Sequence, residues 1–318
     1  MNRLRAPRAI LMMACVASLA APFDFAQGKP VAAQRPSMYQ TANTFLASLT
    51  PEQRQVASFP FESPERERWG FAPVEQFPRV GLPMHRMSEP QRSRAHALLM
   101  SGLSDRGYEM AIAIMARETL RRADPLNYYV SIFGTPSPDG TWSWRVEGHD
   151  LSLNFTFLNG SLVASTPSFF GGILTLEDDA AWTLVKTLDD RQRAMAMIAP
   201  HAPAEIGTAN TIVVQPLPPG GVPVTEMSDG QRELLMQVIR TYNSAMIFDV
   251  AVARMARLRN GGLDRITFSW AGSMERGKPH YYRVVGPTFV IEYASGSGSD
   301  ARSVWRDFER DFGRDLLK

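Results

Sequence analysis

Few side chains in this chain could do chemistry. There are five histidines, His85, His96, His149, His201 and His280, and a single cysteine, Cys15. No HExxH, P-loop, GxSxG or dinucleotide-binding fingerprint occurs, and Asp311-Phe312-Gly313 stands without any other kinase motif. No residue can therefore be given a catalytic role by motif. The most suggestive pair is His149-Asp150, because imidazole and carboxylate both ligate divalent metals. The pair follows Gly148 at a turn between strands. Neighbours on a regular strand point to opposite faces, so the two can share one ion only if the turn breaks that alternation. Otherwise they form a hydrogen-bonded structural pair. His280 falls in phase with aromatic residues and reads as buried.

A second set of polar groups comes from alternation in the strand regions. Trp142, Trp144 and Val146 share one face, and His280, Tyr282 and Val284 share the matching face downstream. Arg145 and Arg283 lie in the opposite phase, as do Asn154 and Glu292. Should these four converge where two halves of the chain meet, they would recognise an anionic small molecule, since guanidinium groups bind carboxylate and phosphate well. The alternative is local pairing, of Arg145 with Glu147 for example, or a face turned to water.

The elements that must position these groups read as an internal repeat. A cap followed three places later by glutamine and then arginine occurs four times: Thr50–Gln53–Arg54, Ser88–Gln91–Arg92, Asp189–Gln192–Arg193 and Ser228–Gln231–Arg232. The first and third are 139 residues apart, the second and fourth 140. Gly134 and Gly272, Arg145 and Arg283, and Gly148 and Gly286 are each 138 apart. Each half reads as a short capped helix, a Pro/Gly-rich extended segment, two further helices near Ser88 and Arg106–Arg122, or Ser228 and Ser244–Arg259, and a three-strand antiparallel meander. Helices followed by antiparallel strands indicate an α+β fold. The expected architecture is two tandem helix-then-meander repeats related by a pseudo-two-fold, 34–172 and 173–318, forming one compact unit. The stretch Ala199–Thr225 reads as a link. Val304, Phe308, Phe312 and Leu316 form an i, i+4 stripe that predicts a C-terminal helix.

Residues 1–33 read as a signal peptide: Arg3, Arg5 and Arg8 precede an apolar run from Ala9 to Ala21. Cleavage after Ala21 or Ala33 would remove Cys15 and leave a mature chain without thiols. No later segment is long and apolar enough to span a membrane. The net charge of +2, with no basic cluster, argues against nucleic-acid binding. A secreted or periplasmic location follows.

Several runs are similar to one known family. They are Tyr128-Tyr129 through Ile132-Phe133-Gly134-Thr135-Pro136, Gly148-His149, Leu151-Ser152-Leu153-Asn154-Phe155-Thr156, Thr166-Pro167-Ser168-Phe169-Phe170-Gly171, His280-Tyr281-Tyr282-Arg283, Gly286-Pro287-Thr288-Phe289 and Ser303-Val304-Trp305-Arg306-Asp307. Over nearly the whole mature chain it resembles the uncharacterised exported bacterial family known as domain of unknown function thirty-five hundred. The resemblance implies export and one architecture, and supplies no activity. It also implies a second histidine where Asp150 stands, and a His-x-His where Asp300, Ala301 and Arg302 stand. If those histidines hold a metal, this chain keeps His149 and offers Asp150 and Asp300 as oxygen ligands, which suit a harder divalent ion. The readings in play are thus a small-ligand-binding protein using Arg145, Asn154, Arg283 and Glu292, a secreted metal-dependent hydrolase centred on His149, and an envelope structural or interaction protein.

Overall fold

The computed structural model describes residues 23–24, 29–30, 36–215, 217, 220–296 and 300–316. The basic and apolar runs of the expected signal, with Cys15, lie outside the described residues. Within Met1–Arg35, β1 (Phe23–Asp24) pairs antiparallel with β2 (Lys29–Pro30). Pro36–Lys318 is one compact unit. No helix among the described residues is long and apolar enough to cross a membrane.

In chain order this unit runs α1 (Met38–Ala47), α2 (Pro51–Ala57), β3 (Ser58–Phe59), β4 (Leu82–Pro83), α3 (Glu89–Gly102), α4 (Asp105–Arg117), β5 (Tyr129–Gly134), β6 (Trp142–Gly148), β7 (Leu151–Leu158), β8 (Ser161–Ala164) and β9 (Ser168–Gly172). It continues with α5 (Thr175–Thr187), α6 (Asp190–Ala196), β10 (Met197–Ala199), β11 (Val222–Pro223), α7 (Asp229–Asn243), α8 (Phe248–Gly261), β12 (Thr267–Gly272), β13 (His280–Val285), β14 (Phe289–Ser295) and β15 (Ala301–Asp307). The main sheet is ordered β10-β12-β13-β14-β15-β9-β7-β6-β5-β3, with β11, β4 and β8 pairing β12, β5 and β7. Among the described residues only β3 on β5 and β10 on β12 are parallel. Helices with a large, mostly antiparallel sheet make the fold α+β.

All four predicted helix starts form. The backbone N–H of Thr50, Ser88, Asp189 and Ser228 donates to the glutamine three residues on, at 3.1, 2.8, 3.0 and 2.9 Å. The glutamines have a second role. Gln53 and Gln91 exchange amide hydrogen bonds of 3.2 and 2.7 Å, and Gln192 and Gln231 exchange bonds of 2.9 and 2.8 Å. One short and one long helix are thereby locked start to start. Helix α1 starts on the same kind of box, Ser37 with Gln40, but without the arginine that follows in the other four, and α5 has no side-chain cap; neither helix was anticipated.

The strands bury both faces. On one side Trp144, Phe155, Val284 and Ile291 pack against the helices in the main core. The other side, predicted to be either a ligand face or wet, is covered by chain. The segments between β3 and β4 and between β10 and β11 cross it, forming a second core of Trp69, Phe71, Phe169, Ile206 and Phe312. Phe71 stacks on Phe169 at 4.1 Å between ring centres. The Pro/Gly-rich stretch read as a link is thus a strap across its own half of the sheet.

The predicted C-terminal helix is not formed. Residues 301–307 are β15, followed by a short 3-10 segment at Asp311–Leu316. The reason is geometric. A spacing of four is even, so residues that stack on a helix also share one face of a strand. Val304 and Trp305 favour extended backbone, and β15 fills the gap between β14 and β9 with unbroken ladders to both.

Candidate functional site

The four polar residues singled out by alternation form two cross-strand pairs. Arg145 on β6 faces Asn154 on β7, and Arg283 on β13 faces Glu292 on β14. Strands β9 and β15 stand between the pairs, a separation of roughly 14 Å at ordinary strand spacing. Each pair holds its own strap. Arg145 contacts Glu147 at 2.9 Å and donates to the carbonyls of Glu65 and Arg68. Asn154 donates to the Pro167 carbonyl at 3.0 Å. Glu292 accepts from the Gly207 and Thr208 amides, at 2.6 and 3.0 Å, from the Thr208 hydroxyl, and from Tyr281 at 2.7 Å. Arg283 is buried beside it. The chain itself supplies what these groups bind, and the two pairs do not meet.

His149, Asp150 and Asp300 do come together, around a residue that motif reading passed over. Asp150 has φ +60°, an uncommon conformation for a residue with a side chain, and it breaks the strand alternation at the turn. Gly171 allows this turn to sit close, because a Cβ there would lie 2.7 Å from the Asp150 side chain. The Arg121 guanidinium occupies the centre. It reaches Glu118 at 2.8 Å, Asp150 at 2.8 Å and Asp300 at 3.2 Å, while His149 Nδ1 lies 2.9 Å from Glu118. Arg117 also pairs with Asp300. Burial works against the Arg121 charge, but its bonds to Glu118 and Asp150 outweigh that and hold its pKa above the ordinary value. Burial would raise Asp300, yet Arg117 and Arg121 hold it below the usual carboxylate range.

This donor set does not fit a divalent metal. Its lone pairs are directed at a guanidinium, and among the described residues no group of three His, Cys, Asp or Glu side chains could hold an ion. The cluster ties the end of α4 to the β6–β7 turn and the start of β15.

A third place has the features of a binding site. A cavity of about 130 Å³ opens between β8 and the α8, β14 and β15 elements. Its walls include Leu162, Val250, Leu258, Phe289 and Trp305, with Arg254, Arg257, Arg310 and Asp307 among its polar groups. Arg257 and Asp307 form a two-pronged pair with both bonds at 3.0 Å. Arg254 differs. Its Nε and Nη2 donate to the side chain and carbonyl of Ser165 at 2.9 and 2.7 Å, and its guanidinium lies 4.8 Å over the Trp305 ring. No ion pair to Arg254 occurs among the described residues. Burial pulls its pKa down to about 9, with Asp307 and Asp311 only partly opposing. The sequence carried a signal: Val250, Arg254 and Leu258 are spaced i, i+4, which sets an arginine inside the buried stripe of α8.

The fold thus defines a two-cored α+β protein with polar groups largely spent on its own chain. A family model described as a protein of unknown function (DUF3500) matches residues 32–314, and the chain belongs to that family. No curated protein and no solved structure matches it.

Proposed function

We propose that this is an exported protein that binds a small organic anion in the cavity beside Arg254, at the boundary between two tandem copies of one helix-and-meander unit. The observation that carries the reading is a buried cation that makes no ion pair among the described residues and has a cavity beside it. An uncompensated buried charge is costly, and a carboxylate or similar group in the cavity would compensate it. The aliphatic and aromatic walls suit an apolar body attached to that charge. Arg145, one of the first candidates for this role, already binds strap carbonyls, and Arg283 is buried beside Glu292, so the anion site is assigned to Arg254.

The duplication is supported by the strand order, which reads the same from either edge: β10 answers β3, β12 answers β5, β13 answers β6, β14 answers β7 and β15 answers β9. A pseudo-two-fold between β9 and β15 would generate it, and Ser165 and Arg254 then belong to different copies. Export rests on the basic and apolar runs of residues 3–21 and is tested by N-terminal sequencing of secreted or periplasmic protein, with cleavage expected after Ala21 or Ala33.

The binding reading is tested by thermal melts against a panel of small carboxylates, sulfonates and phosphates. Stabilisation by members with an apolar body, absent in Arg254→Met, is the expected outcome. A flat panel, or equal shifts in the variant, would refute it.

A further inference from the structure

At the opposite end of β14 and β15 lies a second cleft, of about 210 Å³, lined by Asp178, Arg276, Lys278, His280, Tyr293 and Ser295 among others. Three of these side chains form a chain of hydrogen bonds. The Ser295 hydroxyl lies 3.0 Å from His280 Nδ1, and His280 Nε2 lies 2.7 Å from an Asp178 carboxylate oxygen. The imidazole is held in place by stacking. Trp270 lies parallel on one ring contact at 4.8 Å, Tyr293 makes another at 5.5 Å, and Trp182 meets the ring edge-on at 5.8 Å. His280 is 2% exposed, whereas Ser295 is only partly buried.

We propose that Ser295, His280 and Asp178 form a nucleophile, a base and an orienting carboxylate that hydrolyse small carboxylic esters bound in this cleft. The hydrogen-bond roles follow from what each group can do. Asp178 can only accept, so in the tautomer this role requires the proton is on Nε2 and Nδ1 accepts from the Ser295 hydroxyl, which can also donate to the His280 carbonyl at 3.3 Å. The Lys278 carbonyl, 3.0 Å from the same Nδ1, accepts a hydrogen bond from Nδ1–H while that nitrogen carries the serine proton. The His280 backbone N–H donates to Ser295 Oγ at 3.2 Å and fixes the oxygen. The same three roles recur on unrelated folds and are recognised by geometry.

The step balances. Ser295 Oγ bonds to the ester carbonyl carbon as its proton passes to His280 Nδ1. The C–O bond to the alcohol then breaks, and the alcohol leaves with that proton. Water adds to the acyl-serine through the same base, releasing the acid and restoring the hydroxyl. Lys278 lines the cleft and brings a positive charge that favours a developing oxyanion, whereas Arg276 is paired with Asp179.

The first half of the sheet supplies a contrast. Trp142 and Phe157 are register partners there, as His280 and Ser295 are here, and their rings stack at 4.6 Å. Where one end of the sheet is closed by an aromatic pair, the other carries an imidazole, a hydroxyl and an open cleft.

The test uses the full chain, p-nitrophenyl acetate and a fluorophosphonate label located by peptide mass mapping. The label is expected on Ser295, and Ser295→Ala should lose the adduct and about 1,000-fold or more of kcat/KM. Asp178→Asn should lower kcat with little change in KM, which a purely structural role would not do. Neither the adduct on Ser295 nor ester turnover reports on Arg254, so this inference and the anion site fail separately. Absence of adduct and turnover, an adduct elsewhere, or undiminished hydrolysis by Ser295→Ala would overturn the proposal.

Discussion

Arg254 on α8 donates through two guanidinium nitrogens to the side chain and carbonyl of Ser165, at 2.9 and 2.7 Å, and so joins the second half of the chain to the segment just after β8. The bonds satisfy donors, but serine brings no negative charge. Removing the charge should therefore cost little. Arg254→Met is expected to be as stable as the parent or more stable by up to about 2 kcal/mol, unlike the usual loss on altering a buried polar group. Urea unfolding of ligand-free protein measures it.

The cluster around Arg121 should behave in the opposite way. Glu118 and Asp150 are 5% and 3% exposed and depend on that guanidinium. Arg121→Ala leaves them uncompensated and should cost about 3–5 kcal/mol. It also frees the lone pairs of Glu118, His149, Asp150 and Asp300. The variant should then take up a divalent ion such as Mn²⁺ that the parent does not retain. Metal content by mass spectrometry after dialysis distinguishes the two proteins.

The Gln192–Gln231 amide pair should matter to stability and not to binding. Each amide also caps the neighbouring helix end through the Glu226 or Thr187 carbonyl, at 2.7 and 2.8 Å. Gln231→Ala should cost about 1–3 kcal/mol, because the Thr187 carbonyl and the Ser228 amide each lose a hydrogen-bond partner and the mutual amide bonds to Gln192 are gone. The Gln192→Ala, Gln231→Ala double variant should cost less than the sum of the singles. Chemical denaturation of the three variants checks both statements.

Alkaline pH should unfold the protein through its phenols. Burial pushes Tyr128, Tyr242, Tyr281, Tyr282 and Tyr293 above their ordinary value of 10. The unfolded chain releases these protons near pH 10 while the folded chain keeps them. Their contribution is complete below pH 10 and declines as pH rises beyond it, by up to about 1.4 kcal/mol per pH unit for each group. Melting temperature against pH, read with the phenolate absorbance, should show both changes together.

The capped helices and the meanders were legible in the sequence because their signals are local: a cap and a glutamine three residues apart, or alternating apolar side chains. The straps were not, because Pro/Gly-rich extended chain has no period to show which face it will cover. That omission turned the polar side of the sheet into an apparent ligand face, whereas Arg145 and Glu292 bind strap backbone. His149, Asp150 and Asp300 were brought to notice as one set through the family resemblance, yet Arg121 at their centre was not, since nothing local distinguishes it from other arginines. β15 was misread because a four-residue spacing is common to helix and strand.

The central claim is that Arg254 awaits an anion, and titration calorimetry with sodium benzoate tests it most directly. One benzoate per chain is expected for the parent and none for Arg254→Met, with a melting shift of about 5 °C at one hundred times Kd. Failure of the parent to bind benzoate or any other small organic anion in the panel, or equal binding by the variant, would contradict the account.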